Sequence, residues 1–108
     1  VTTPQICWTA PAEQDVTDIW FYIAAENSTT VADAMLTRIS AALDRLAFAP
    51  MIGMRRGDLT GAPRGFVVRP YTIIYQPLPK RDGILVWRIL HGARDLRFIV
   101  KPPSADEP

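Results

Sequence analysis

Gly65 to His91 reads GFVVRPYTIIYQPLPKRDGILVWRILH, and how these residues divide decides the fold. Three runs, Gly65–Arg69, Tyr71–Gln76 and Ile84–His91, are rich in Val, Ile, Tyr and Trp, the composition of strands. Pro70 makes a tight junction between the first two. The connection from Pro77 to Gly83 is polar and ends in Asp-Gly, a turn signal. Three strands in succession with short connections predict an antiparallel meander.

Upstream the period changes. Val16, Ile19, Trp20 and Ile23 recur at the spacing of one helical face. Pro11 suits the first turn, with Thr9 or Ala10 as the cap, and Glu13, Asp15 and Asp18 favour the positive end of the helix dipole. This helix is expected to end near Ala25–Asn27. Ala32, Met35, Leu36, Ile39, Leu43 and Leu46 predict a second helix running to Phe48. Thr30 and Asp33 resemble a capping box at its start, and Pro50 stops it. Two helices joined by so short a connection form an antiparallel hairpin. Gln5–Thr9 reads as a first strand. Pro50–Arg64 fits no period and reads as a long loop. The resulting order is strand, helical hairpin, meander. It predicts an α+β fold of two layers, with one sheet face covering the hairpin. The reading gives one domain over 1–100 and a disordered tail over 101–108.

A chain of 108 residues with 48% hydrophobic residues can bury one modest core. Its net charge of +1 argues against broad binding of nucleic acid through global charge. Locally the balance differs: Arg55, Arg56, Arg64 and Arg69 share the middle of the chain with one acid, Asp58. The lone Cys7 excludes an internal disulfide and a CxxC metal knuckle, so no metal site is expected. The amino terminus shows neither a basic nor an apolar leader segment, and Ile19–Ala25, the longest apolar run, is too short to span a membrane. A cytoplasmic protein is the expectation.

Several segments then carry a resemblance. They are Ala12 and Asp15–Ile19 with Tyr22-Ile-Ala24, Leu46 with Pro50–Gly53, Arg64-Gly-Phe, Tyr71–Tyr75 and above all Arg88-Ile-Leu-His-Gly-Ala-Arg-Asp95. In this order and spacing the chain, from about Trp8 to Leu96, resembles the ParE branch of the RelE/ParE superfamily of bacterial type II toxins. The resemblance implies a cytosolic toxin without cofactor, held in a hetero-oligomer by a ParD-like antitoxin whose C-terminal segment folds on the toxin. ParE-like members are associated with poisoning of DNA gyrase, whereas RelE-like members cleave messenger RNA on the ribosome.

RNA cleavage needs a base, an acid and cations for the phosphate. Against the RelE-like pattern, Thr72 stands where the first catalytic arginine belongs and Val100 near the expected tyrosine, while Arg94 is kept. No catalytic residue is therefore expected. His91 reads as a strand terminator whose ring bonds to the turn, and Arg94 with Asp95 as a structural ion pair. If the chain is a nuclease after all, His91, Arg94 and Arg69 are the candidates. Sequence-specific contact with nucleic acid is not expected.

Without catalysis, function falls to surfaces. Arg55, Arg56 and Arg64 are candidates for contacting the target, either an acidic protein face or DNA held by gyrase. Trp20, Phe21, Tyr22, Met35 and Ala42 leave apolar groups beyond one helical core face, a surface for an antitoxin helix. Phe98 and Val100 either pack back on the sheet or serve the same partner from an added edge strand.

Overall fold

The computed structural model describes residues 3–104. Strand β1 is Gln5–Trp8, helix α1 Ala10–Glu26 and helix α2 Thr29–Phe48. A short β2, Met54–Arg55, precedes β3 (Arg64–Val68), β4 (Tyr71–Pro77) and β5 (Gly83–His91). The architecture is α+β, as the change of period implies. The three predicted meander strands pair antiparallel, and β1 adds to β5 in parallel, giving the order β1-β5-β4-β3-β2.

The helix starts show why the chain turns where it does. Thr9 caps α1: its hydroxyl accepts from Ala12 N at 3.1 Å and donates to Trp87 O at 2.7 Å. One buried side chain thus ends a strand, begins a helix and ties both to β5. The second cap corrects the sequence reading. Ser28, not Thr30, accepts from Val31 N, and Thr30 lies inside α2. Asp33 instead accepts from Trp20 Nε1 at 2.8 Å, joining the two helices.

Both sheet faces are covered, where the sequence predicts cover on one. Ile19, Ile23, Ile39, Leu43 and Leu46 from the hairpin pack on Ile73, Tyr75, Ile84, Val86 and Ile89. On the opposite face Leu59, Leu96 and Val100 come from irregular segments and pack on Ile74, Leu85, Trp87 and Leu90. The long loop is therefore not structureless: it holds a 3-10 turn at Pro50–Ile52, strand β2 and the buried Leu59. Tyr75 anchors it, with its hydroxyl donating to Pro50 O at 2.7 Å and accepting from Gly53 N at 2.9 Å.

Strand β5 carries a bulge. Ile74 lies opposite Arg88 but Tyr75 lies opposite Val86, so the ladder skips Trp87. Ile84 and Val86 face the helices, and the next residue to do so is Ile89, three positions on. A two-residue alternation cannot make that step without an extra residue. Of the expected tail, residues 105–108 lie outside the described residues; Lys101, Pro102 and Pro103 border a small cleft with Thr9, Pro11 and Trp87.

Candidate functional site

The bulge sets up the main polar contact between the layers. Arg88 reaches α1 and donates to Asp15 through Nε at 2.7 Å and Nη2 at 2.8 Å. The same carboxylate accepts from Ile89 N at 3.0 Å. Asp15 is buried and fully occupied, and its hydrogen bond raises the Arg88 pKa above the ordinary value. The sequence reading missed this pair. The signal was a lone arginine inside an apolar strand, and a charge there demands a buried partner.

Beside it lies an open hollow of about 470 Å³ between the hairpin and the ends of β4 and β5. Ile19, Ile23, Met35, Ile89 and Leu90 form much of its lining, with Tyr22, Tyr71, His91 and Arg94 among the polar residues. An imidazole, a guanidinium and two phenols thus border one hollow; the sequence reading groups His91 with Arg94 as nuclease candidates but does not anticipate the two phenols. The Tyr71 ring meets His91 edge to face at 5.7 Å. Burial, with a smaller contribution from Tyr22, raises the Tyr71 pKa, which keeps that phenol protonated. The His91 ring accepts from Ala93 N at 3.1 Å through Nδ1, leaving Nε2 for any other partner.

The predicted Arg94–Asp95 pair does not form. Asp95 instead caps the following 3-10 turn through Arg97 N and pairs with the Arg97 guanidinium at 3.1 Å. The cap bond to Arg97 N turns the Asp95 carboxylate toward the Arg97 side chain, whose Nε it also accepts from at 3.2 Å. Arg94 is left on the hollow. Arg69, the third nuclease candidate, is exposed and does not line it. Thr72 and Val100 are both buried, Val100 within the core on the far face of the sheet.

The surface candidates divide. Tyr22 and Met35 line the hollow, and Phe21 is exposed with its ring edge to face on Trp20 at 5.2 Å. Trp20 is half-buried and engaged with Asp33. Ala42 and Val100 are buried and offer no surface, which corrects two of the expected contacts. Helix α2 turns Ala42 inward, and Val100 follows the 3-10 turn back onto the sheet. Phe98 is 80% exposed, and its segment forms no edge strand. Of the arginines, Arg56 is neutralised by a bidentate pair with Asp58, both bonds 2.9 Å, which holds the Asp58 carboxyl below its ordinary range. Arg64 donates to Met51 O and Gly53 O. Arg55 is exposed.

The same fold has relatives. Residues 6–96 match the family model of the ParE toxin of the type II toxin-antitoxin system parDE. The chain belongs to the ParE toxin family. Toxin ParE3 of Caulobacter vibrioides is 31% identical over 88 residues, spanning 82% of this chain and 86% of that protein. A solved chain of the chromosomal ParDE TA system from P. aeruginosa superposes with a TM-score of 0.68 at 18% identity, covering 82% of this chain and 96% of that one. The ParE fold is therefore shared at low identity. Among the described residues no helix is long and apolar enough to cross a membrane, and no group of three His, Cys, Asp or Glu side chains is placed to hold a metal.

Proposed function

We propose that this ParE-family chain acts in the cytoplasm as a noncatalytic inhibitor of DNA gyrase and is neutralised by a ParD-like antitoxin. One observation carries the reading. Thr72, at the position where nuclease relatives place an arginine, and Val100, near the one where they place a tyrosine, are buried groups with no ionisable function. The largely apolar hollow between hairpin and sheet suits the apolar face of an antitoxin helix, with Tyr22 and Met35 as contacts and Phe21 alongside. Purified toxin is expected to stop supercoiling by gyrase or to trap cleaved DNA. Unchanged turnover at excess toxin removes the reading.

The hollow favours a second reading, a ribosome-dependent ribonuclease. It gathers His91 and Arg94 with the phenols of Tyr22 and Tyr71, the types of group that proton transfer and phosphate binding need. Primer extension on messenger RNA after induction separates the two. Discrete cuts lost in His91→Ala establish the nuclease; intact transcripts remove it.

A further inference from the structure

Strands β2 and β3 pair in a register that sets Arg55 directly opposite Arg64. Directly opposed residues share a sheet face with their Cβ atoms about 5 Å apart, and like charges there repel. Among the described residues neither guanidinium pairs with a carboxylate. The neighbouring Arg56, by contrast, has its own acid, Asp58. The chain therefore compensates the arginine beside this pair and leaves the opposed two uncompensated.

Their surroundings add no acid. Arg55, Arg64 and Gln76 line one cleft of about 340 Å³ with Met51, Gly61, Ala62, Pro63 and Pro77. Arg64 is oriented by Nη1, which donates to Gly53 O at 2.8 Å and more weakly to Met51 O at 3.3 Å, leaving Nε and Nη2 unspent. Gln76 Oε1 accepts from Trp87 Nε1 at 2.8 Å, which turns its side chain toward the opposite sheet face and leaves the two arginines as the charged groups of the cleft. The two guanidiniums offer more donors than one planar carboxylate can satisfy, and they match the several oxygens of a phosphate. The cleft is roomier than a bare phosphate needs, and its Met51, Ala62 and proline walls suit the sugars on either side.

We propose that Arg55 and Arg64 form a phosphate-binding site, and that the phosphate it takes is a phosphodiester of a nucleic-acid backbone. The site is separate from the hollow. Arg64 lies opposite Tyr75 and His91 opposite Tyr71, four residues apart along β4, or roughly 13 Å. It rests on the register of the pair and not on the identity of the target.

The test is a titration of the full chain, followed through the arginine Nε–H resonances, with a short DNA duplex in one arm and inorganic phosphate in the other. The duplex should shift Arg55 and Arg64 while Arg56 stays in place. Arg55 makes no side-chain hydrogen bond among the described residues and repels Arg64, so Arg55→Gln does not lower the melting temperature. It should weaken duplex binding about five-fold and lower the salt slope by about one. Arg56→Gln removes the same charge and should weaken binding less. Equal losses in the two variants, or silent Arg55 and Arg64 resonances, overturn the site. Shifts with inorganic phosphate but none with duplex overturn the backbone assignment. A chain that shows the shifts yet leaves gyrase untouched sinks the gyrase reading alone, and a gyrase inhibitor with silent arginines sinks this site alone.

Discussion

Asp15 shows how much one side chain can decide. Its carboxylate accepts three hydrogen bonds, two from Arg88 and one from the backbone of β5, and it is 7% exposed. Removing one partner of a buried pair leaves the other charge desolvated and alone, at a cost of about 3–5 kcal/mol. Asp15→Ala is therefore expected to lower the urea midpoint sharply with an unchanged slope, and Arg88→Met together with Asp15→Leu should recover part of the loss, the Ile89 N–H still lacking its acceptor. A double variant no better than Asp15→Ala would show the pair to be worth more than its desolvation. Tyr75 is the neutral counterpart. Its buried hydroxyl serves Gly53 N and Pro50 O, and Tyr75→Phe should cost about 1–3 kcal/mol because the Gly53 N–H is left without an acceptor. Burial raises the Tyr75 pKa above the ordinary phenol value of 10.0. The unfolded chain therefore loses its phenolic proton first as pH rises, so this contribution is complete below pH 10 and declines as pH climbs through the folded value. Circular dichroism across that alkaline range should show a decline that is shallower in Tyr75→Phe.

At the scale of elements, the strands and helices were legible and their couplings were not. Periodicity located α1 and α2 because each helix buries one face, and β-rich composition located β4 and β5, which are nearly all buried, and the half-buried β3 beside them. Composition says nothing about parallel pairing, and the position of β1 beside β5 depends on a contact between residues far apart in the chain. The bulge was hidden for a related reason. Ile84–Leu90 is apolar on both faces, so no alternation remained in which a skipped residue could register. Capping was ambiguous because Ser28, Thr29 and Thr30 are all competent, and only the geometry of the turn selects Ser28. Gly83 is where β1 and β5 begin to pair. Its φ is +124°, and a Cβ there would collide with the Gln5 backbone. Gly83→Ala should therefore detach the β1 end and cost at least about 1–3 kcal/mol. That is a fall in melting temperature of roughly 4–8 °C per kcal/mol for a domain of this size. A change confined to a degree or two would mean that β1 contributes little.

For the whole molecule, the sheet is a wall between two cores of different origin. The hairpin core comes from regular helices with strong periodicity and could be read in advance. The opposite core is closed by Leu59, Leu96 and Val100, each in a segment with no period, so their inward direction had no signature. This arrangement also explains why the candidate sites were only partly legible. Val100 was offered as a partner contact and is core, whereas the hollow that unites Tyr22, Tyr71, His91 and Arg94 depends on how the hairpin seats on the sheet. The two covers should differ in what their loss does. Truncation after Arg94 removes Leu96 and Val100 and bares Leu85, Trp87 and Leu90 on the sheet, where one large-to-small core change alone costs about 2–5 kcal/mol. The truncated chain is expected to be unfolded or aggregated. The milder Leu96→Ala should remain folded, with stability lowered within that range and Trp87 fluorescence shifted toward that of a wetter ring. The hollow is walled mainly by the hairpin and shares only Leu90 with the far core, so antitoxin binding should be retained in that variant even as stability falls. Calorimetric binding at a temperature where both chains are folded checks this. A loss of antitoxin binding in parallel with stability would mean that the two faces of the sheet are not independent, and that the far core shapes the hollow through β5.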